Sequence, residues 1–174
     1  MNIVGETQAA PGYGDAYSPV FIVGQSLCGP CMATQIPFTG GSGRLIDQAL
    51  AAAEVRKSDV FITNVVHCHP PSNRPSHEHE ITNCRPFLRR ELQIVAPKLI
   101  IGLGKDARAA IAVEVNEATD LLWPFKPQDA LSVHSPGAPY VLAAPHPSWI
   151  MRQPQAVRTE FVTTLGAALR WAFA

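Results

Sequence analysis

The chain has 174 residues, 47% hydrophobic and 16% charged, and its 14 Lys and Arg balance its 14 Asp and Glu. That is one domain's worth of chain, able to bury about two thirds of its unfolded surface without help from disulfides, and the composition excludes intrinsic disorder. A net charge of zero excludes a globally basic nucleic-acid binder but not a local basic face.

Residues 1–18, MNIVGETQAAPGYGDAYS, are rich in Gly, Ala, Pro and Tyr and read as irregular. They lack a basic start and a long apolar core, so no secretory signal is expected there. Val20-Phe21-Ile22-Val23-Gly24 is a short apolar run suited to a buried strand, followed by a loop of Gly, Pro and Cys. Ser42 to Glu54 has helical spacing, with Leu45, Ile46, Ala49 and Leu50 on one face. Asp59 to Val66 is a second strand, rich in β-branched residues. A loop with three prolines runs from His67 to Ser76, and a helix is expected from Glu78 to Val95, with Pro86 interrupting it. Lys98 to Gly104 is a third buried strand leading into a helix at Lys105–Val115. Trp123 to Pro139 reads as irregular, with an edge strand around Leu131-Ser132-Val133. Tyr140 to Ala144 is the last strand, stopped by Pro145-His146-Pro147-Ser148, and Gln155 to Ala172 closes the chain as an amphipathic helix.

Apolar strands alternating with helices predict βαβ units: a three-layer α/β/α sandwich on a central, mainly parallel four-stranded sheet, in one domain over 1–174. No apolar run reaches the roughly 18 residues of a membrane span, so a soluble, cytoplasmic protein is expected. In doubly wound sheets ligands bind outside the carboxyl ends of the strands. The unusual residues sit at those ends: Gln25–Cys31, Asn64–His69 and His146–Trp149. The three groups are expected to meet at one edge of the sheet.

In a reducing compartment four cysteines read as metal ligands or reactive groups rather than disulfides. Cys28-Gly29-Pro30-Cys31 is a CxxC, Cys68 directly follows the second strand, and Cys84 lies sixteen positions later. A CxxC can hold two ligands of one zinc ion or iron–sulfur cluster, and Cys68 and Cys84 complete four. Spacing does not choose between the two metals. A redox CxxC at a helix start is the alternative, which leaves Cys68 and Cys84 idle.

An ordered set of motifs runs along the chain. Gly24-Gln25 is followed by Pro37-Phe38-Thr39-Gly40 and Gly43-Arg44-Leu45-Ile46-Asp47. Next come Ile62-Thr63-Asn64-Val65-Val66 with Cys68, Pro70-Pro71 and Asn73-Arg74, then Ala96-Pro97-Lys98 and Gly102-Leu103-Gly104. His146-Pro147-Ser148 with Arg152 and Pro154 completes it. Over about residues 19–155 the set resembles the uracil-DNA glycosylase superfamily, closest to its iron–sulfur-containing family 4 branch. The resemblance implies a DNA repair glycosylase that flips uracil out of DNA and hydrolyses its N-glycosidic bond, leaving an abasic site. It implies a [4Fe-4S] cluster on Cys28, Cys31, Cys68 and Cys84, with structural zinc as the alternative. It implies uracil-containing DNA as partner, with no membrane and no nucleotide cofactor, and a monomer.

The chemistry of that reaction needs a flat pocket, a donor and acceptor set that reads the base edge, and a donor aimed at the oxygen that becomes anionic. By resemblance Phe38 stacks on the base and His146 donates to uracil O2. The Asn64 carboxamide offers a donor and an acceptor matching uracil O4 and N3–H. Gln25 and Ser26 bind the base through the loop backbone and are the candidates for holding water. Ser148 and Arg152 would contact phosphate, and Trp149, Ile150 and Met151 supply wedge candidates.

Two departures from the family stand out. Gln25 and Ser26 occupy positions where relatives carry Glu or Asp, so the water-positioning carboxylate is missing. The first cysteine pair follows the first strand instead of preceding it, which would couple the cluster to the active-site loop. His67, His69, His77 and His79 are expected in a solvated, DNA-facing loop, with Arg85, Arg89 and Arg90 nearby. A weak or inactive binding protein and a zinc-stabilised enzyme for another lesion are the alternative readings.

Overall fold

The computed structural model describes residues 2–116, 118–132 and 137–174. Four strands form the parallel centre of a sheet: β2 (Val20–Ser26), β3 (Phe61–Val66), β4 (Leu99–Leu103) and β6 (Tyr140–Ala144). β5 (Thr119–Leu121) extends it in parallel beside β6, and β1 (Tyr13–Gly14) adds an antiparallel edge on β3. The order is β1-β3-β2-β4-β6-β5. Among the described residues the sheet thus has six strands rather than four, because two very short strands without an apolar run of their own join its edges.

Every central strand is apolar on both faces because each face is covered. Val20, Ile22, Ile62, Leu99, Ile101 and Leu142 point to one side, against α2 (Gly43–Ala52) and α7 (Gln155–Phe173). Phe21, Val23, Val65, Ile100 and Val141 point to the other, against α3 (Glu78–Val95) and α4 (Lys105–Glu114). The alternation within β2 follows from the two-residue period of a strand. The result is the expected three-layer sandwich. Gly166 lets α7 close on α2, since a Cβ there would stand 3.3 Å from the Ala49 carbonyl.

Short α-helices also lie at α1 (Gly29–Thr34), α5 (Pro127–Ser132) and α6 (Pro147–Ile150). The edge strand expected at Leu131-Ser132-Val133 is not formed: Leu131 and Ser132 end α5, and Val133 lies outside the described residues. Pro86 does not break α3; it sits on the exposed side, where water can reach the carbonyl that it leaves unpaired. Among the described residues no helix is long and apolar enough to cross a membrane.

The start of α3 is fixed by charge. Glu80, 6% exposed, accepts from the Arg74 guanidinium at 2.6 and 2.9 Å and from the His77 N–H at 2.8 Å, closing a capping box. The Arg74 hydrogen bond, opposed by desolvation, leads the causes that hold its carboxyl down at about 2, against an ordinary 4.5. A depressed folded value gives stability present above pH 4.5 and lost as pH falls toward 2. Glu80→Gln is therefore expected to lower the thermal midpoint at neutral pH and to flatten its decline between pH 4.5 and 2, measured by circular dichroism melts.

Candidate active site

The parallel strands β2, β3 and β6 end at Ser26, Val66 and Ala144, and their carboxyl ends open onto one edge of the sheet. Gly24 is the pivot there. It pairs with Asn64 across β2 and β3, and a Cβ at Gly24 would run into Asn64 Oδ1 and the Phe38 ring. Only bare backbone lets ring and carboxamide close over this point.

Phe38 has φ 58, a left-handed backbone that a residue with a side chain keeps only under constraint. Lys57 Nζ donates to the Phe38 carbonyl at 2.9 Å and pairs with Asp47 at 3.0 Å. The next residue, Thr39, donates its N–H to Cys31 Sγ at 3.4 Å. Gly43, where α2 begins, has no room for a Cβ against the Phe38 carbonyl. Lys57 was not visible as a site residue in the sequence, because nothing local marks a lysine nineteen positions away as the support of an aromatic ring.

Ser26, Cys28, Phe38, Asn64 and His146 line a cavity of about 220 Å³. That is below the roughly 300–1,000 Å³ of clefts for drug-sized molecules and suits one small flat ring. Asn64 is 4% exposed, and among the described residues no hydrogen bond claims its carboxamide. A buried amide left uncommitted beside a cavity has both a donor and an acceptor to offer a ligand.

His146 caps α6. Its Nδ1 accepts from the Ser148 N–H at 3.2 Å and lies 2.7 Å from Ser148 Oγ. Because Nδ1 accepts, the neutral ring carries its proton on Nε2. Burial keeps the imidazole below the ordinary 6.5; Asp106 nearby pulls the other way and Arg152 reinforces burial. His146 is thus a neutral Nε2–H donor at physiological pH.

His146 also borders a second, larger cleft of about 680 Å³, which Gln25, Asp106, Ser148, Trp149 and Arg152 line as well. The sequence-predicted residues therefore divide: Ser26, Phe38 and Asn64 face the small cavity, Gln25, Ser148, Trp149 and Arg152 face the cleft, and His146 faces both.

Several expectations are corrected. Ile150 is not on the surface: the single turn of α6 points it into the core at 2% exposure, while Trp149 stays 48% exposed. His67 and His69 are buried rather than solvated. His67 Nε2 lies 3.2 Å from Thr63 Oγ1 and from Glu91 Oε1. Burial disfavours the His67 cation, but Cys84 and Glu91 beside it outweigh this and raise it to about 9. His69 Nδ1 donates to the Leu27 carbonyl at 3.0 Å and ties the two loops together. Only His77 and His79 remain exposed, stacked on each other.

The cysteines do not present a four-thiolate cradle. Cys28 and Cys31 are joined by a disulfide, and Cys31 packs with Ala10 and Leu27. Cys68 and Cys84 lie in another packing cluster, outside any disulfide. Among the described residues no group of three His, Cys, Asp or Glu is arranged to hold a metal ion. The short helix after β2 brings Cys28 and Cys31 within bonding reach, and it points Cys31 into the protein.

A profile of the uracil DNA glycosylase superfamily matches residues 11–170. The chain belongs to the uracil-DNA glycosylase superfamily. It is 33% identical over 153 residues to a type-4 uracil-DNA glycosylase of Pyrobaculum aerophilum, covering 88% of this chain and 78% of that protein. It is 30% identical over 146 residues to the type-4 enzyme of Thermotoga maritima, covering 84% and 73%. A third type-4 relative, from Sulfurisphaera tokodaii, is 37% identical over 112 residues, 64% of this chain and 51% of that protein. In this member of the superfamily Gly24 is the point where a Cβ would meet both the Asn64 carboxamide and the Phe38 ring. Gly24→Ala is expected to lower unfolding free energy by about 1–3 kcal/mol, the usual cost of overpacking, read as a lower urea midpoint with an unchanged slope.

Proposed function

We propose that the small cavity is the uracil pocket: the chain is a uracil-DNA glycosylase that hydrolyses the bond between uracil N1 and deoxyribose C1′ and leaves an abasic site. The observation that carries the site assignment is the pairing of two uncommitted groups, the Asn64 carboxamide and His146 Nε2–H, around one cavity closed by the Phe38 ring.

In this reading the flipped base stacks on Phe38. Asn64 donates to O4 and accepts from N3–H. Cytosine presents an amino group and a bare ring nitrogen there, which reverses both contacts and leaves buried groups unpaired. As the N1–C1′ bond breaks, its electron pair flows into the uracil ring and onto O2. His146 Nε2–H, held by Ser148 at Nδ1, stabilises that charge without having to move. Preorganisation matters because a fixed donor in a dry pocket acts more strongly than the same donor in water.

The cleft takes the rest of the nucleotide. Arg152 and Lys105 border it and can neutralise phosphates. Trp149 is the exposed wedge where the base leaves the stack. Gln25 borders the sugar, Ser26 borders the base, and Ser148 serves both His146 and the phosphate. The protein acts as a monomer on uracil-containing DNA.

Purified protein incubated with duplexes containing U, T or hypoxanthine, followed by alkali, is expected to give strand scission in the U duplex alone. His146→Ala is expected to reduce that rate about 10²–10³-fold, the usual cost of one oxyanion donor. Scission of no duplex would remove the enzyme reading.

No step here passes through a metal. The [4Fe-4S] cluster, or a zinc ion, needs the Cys28–Cys31 bond opened first. Protein purified in air is expected to be colourless and to yield a linked Cys28–Cys31 peptide in non-reducing mass spectrometry. A brown, iron-loaded protein without that peptide would restore the cluster.

A further inference from the structure

Hydrolysis of a glycosidic bond needs more than a stabilised leaving group. The sugar becomes cationic at C1′, and a water molecule must be held against it. Both tasks suit a carboxylate. The loop after β2 offers none, since Gln25 and Ser26 stand there.

The position of the scissile bond follows from the uracil reading, on which this inference rests. O2 and N1 are both bonded to C2 of the ring. With O2 on His146, the N1–C1′ bond lies beside His146, at the seam between the two cavities, and the deoxyribose lies in the larger cleft. Among the described residues lining either cavity, Asp106 is the only carboxylate, and it lines that cleft.

Asp106 is half-buried in the first turn of α4, and among the described residues no hydrogen bond or ion pair engages it. Gly104 brings it to the seam: its φ is +88, and a Cβ there would stand 3.1 Å from His146 Cβ. That close approach seats the first turn of α4 beside the imidazole. The field of Asp106 is felt at His146, where it opposes burial. Lys105, His146 and Arg152 are the basic groups sharing the cleft with it.

We propose that Asp106 is a catalytic residue of this glycosylase, the carboxylate that faces the cationic sugar and orients the attacking water. The N1–C1′ bond breaks and its electron pair leaves with uracil. The oxygen of one water molecule bonds to C1′, and the proton it sheds passes to Asp106 and from there to the departing uracil anion. One water is consumed, and free uracil and an abasic sugar result.

A helix-stabilising aspartate and a catalytic one predict different kinetics. The test uses a duplex with a single uracil. Single-turnover rates at saturating enzyme, duplex affinity by fluorescence anisotropy and thermal midpoints are measured for the parent chain, Asp106→Asn and Asp106→Glu. Asp106→Asn is expected to lose about 10²-fold in rate, the lower end of proton-transfer contributions. Its affinity for DNA should be equal or higher, because a negative charge leaves a phosphate-facing cleft. Asp106→Glu, which keeps charge and fold, should recover most of the lost rate. A rate for Asp106→Asn within twofold of the parent overturns the assignment and leaves the uracil reading intact. A loss seen only as weaker DNA binding, or shared equally by Asp106→Glu with a lowered midpoint, also overturns it. A parent chain that releases no uracil removes the uracil reading and this assignment with it.

Discussion

The site depends on one close approach: the Phe38 ring and the Asn64 carboxamide meeting over the bare backbone of Gly24. A parallel sheet does not by itself create a pocket; it only aligns the ends of its strands. What makes a cavity here is that a residue outside the sheet is folded back over β2 and held there. Lys57, Asp47, Gly43 and the Cys31 sulfur hold the Phe38 segment in a backbone that it would not otherwise keep. If that support were lost, the ring would be free to turn away and Asn64 would open to water.

The second element is electrostatic. An imidazole that accepts at Nδ1 from Ser148 and is kept neutral by burial has one proton, and its location is fixed. A cationic histidine would pair with the leaving group in the ground state as well, and binding both states equally adds nothing to the rate. The neutral ring responds chiefly to charge as it develops. The balance is set locally by burial and Arg152 on one side and Asp106 on the other.

Much of this was legible in the chain. The apolar runs fixed the central strands, and the alternation of strands and helices fixed the layers. The rule about strand ends brought Asn64 and His146 to one place, and the family resemblance added Phe38. The losses were of two kinds. Short elements carry too few residues for a period to show, which hid β1, β5 and α6, and with α6 the inward turn of Ile150. Long-range partners leave no local trace. His67 reads as solvated until Glu91, 24 positions on, is seen beside it, and Asp106 reads as an ordinary helix-start acid until Gly104 is seen against His146. The CxxC showed two sulfurs close together, but not whether they would share a metal or a bond.

His146 stands on the boundary between two chambers that are built from different parts of the chain. Ser26 with the loop after it, Asn64 of β3 and the Phe38 segment shape the one proposed for the base; Gln25, the loop after β3, α6 and the first turn of α4 shape the one proposed for the sugar and its phosphates. On the proposed function, lesion choice and strand grip can therefore be tuned almost independently, with a single imidazole as the shared hinge. A lineage that reshapes the first chamber for a different damaged base inherits the second unchanged.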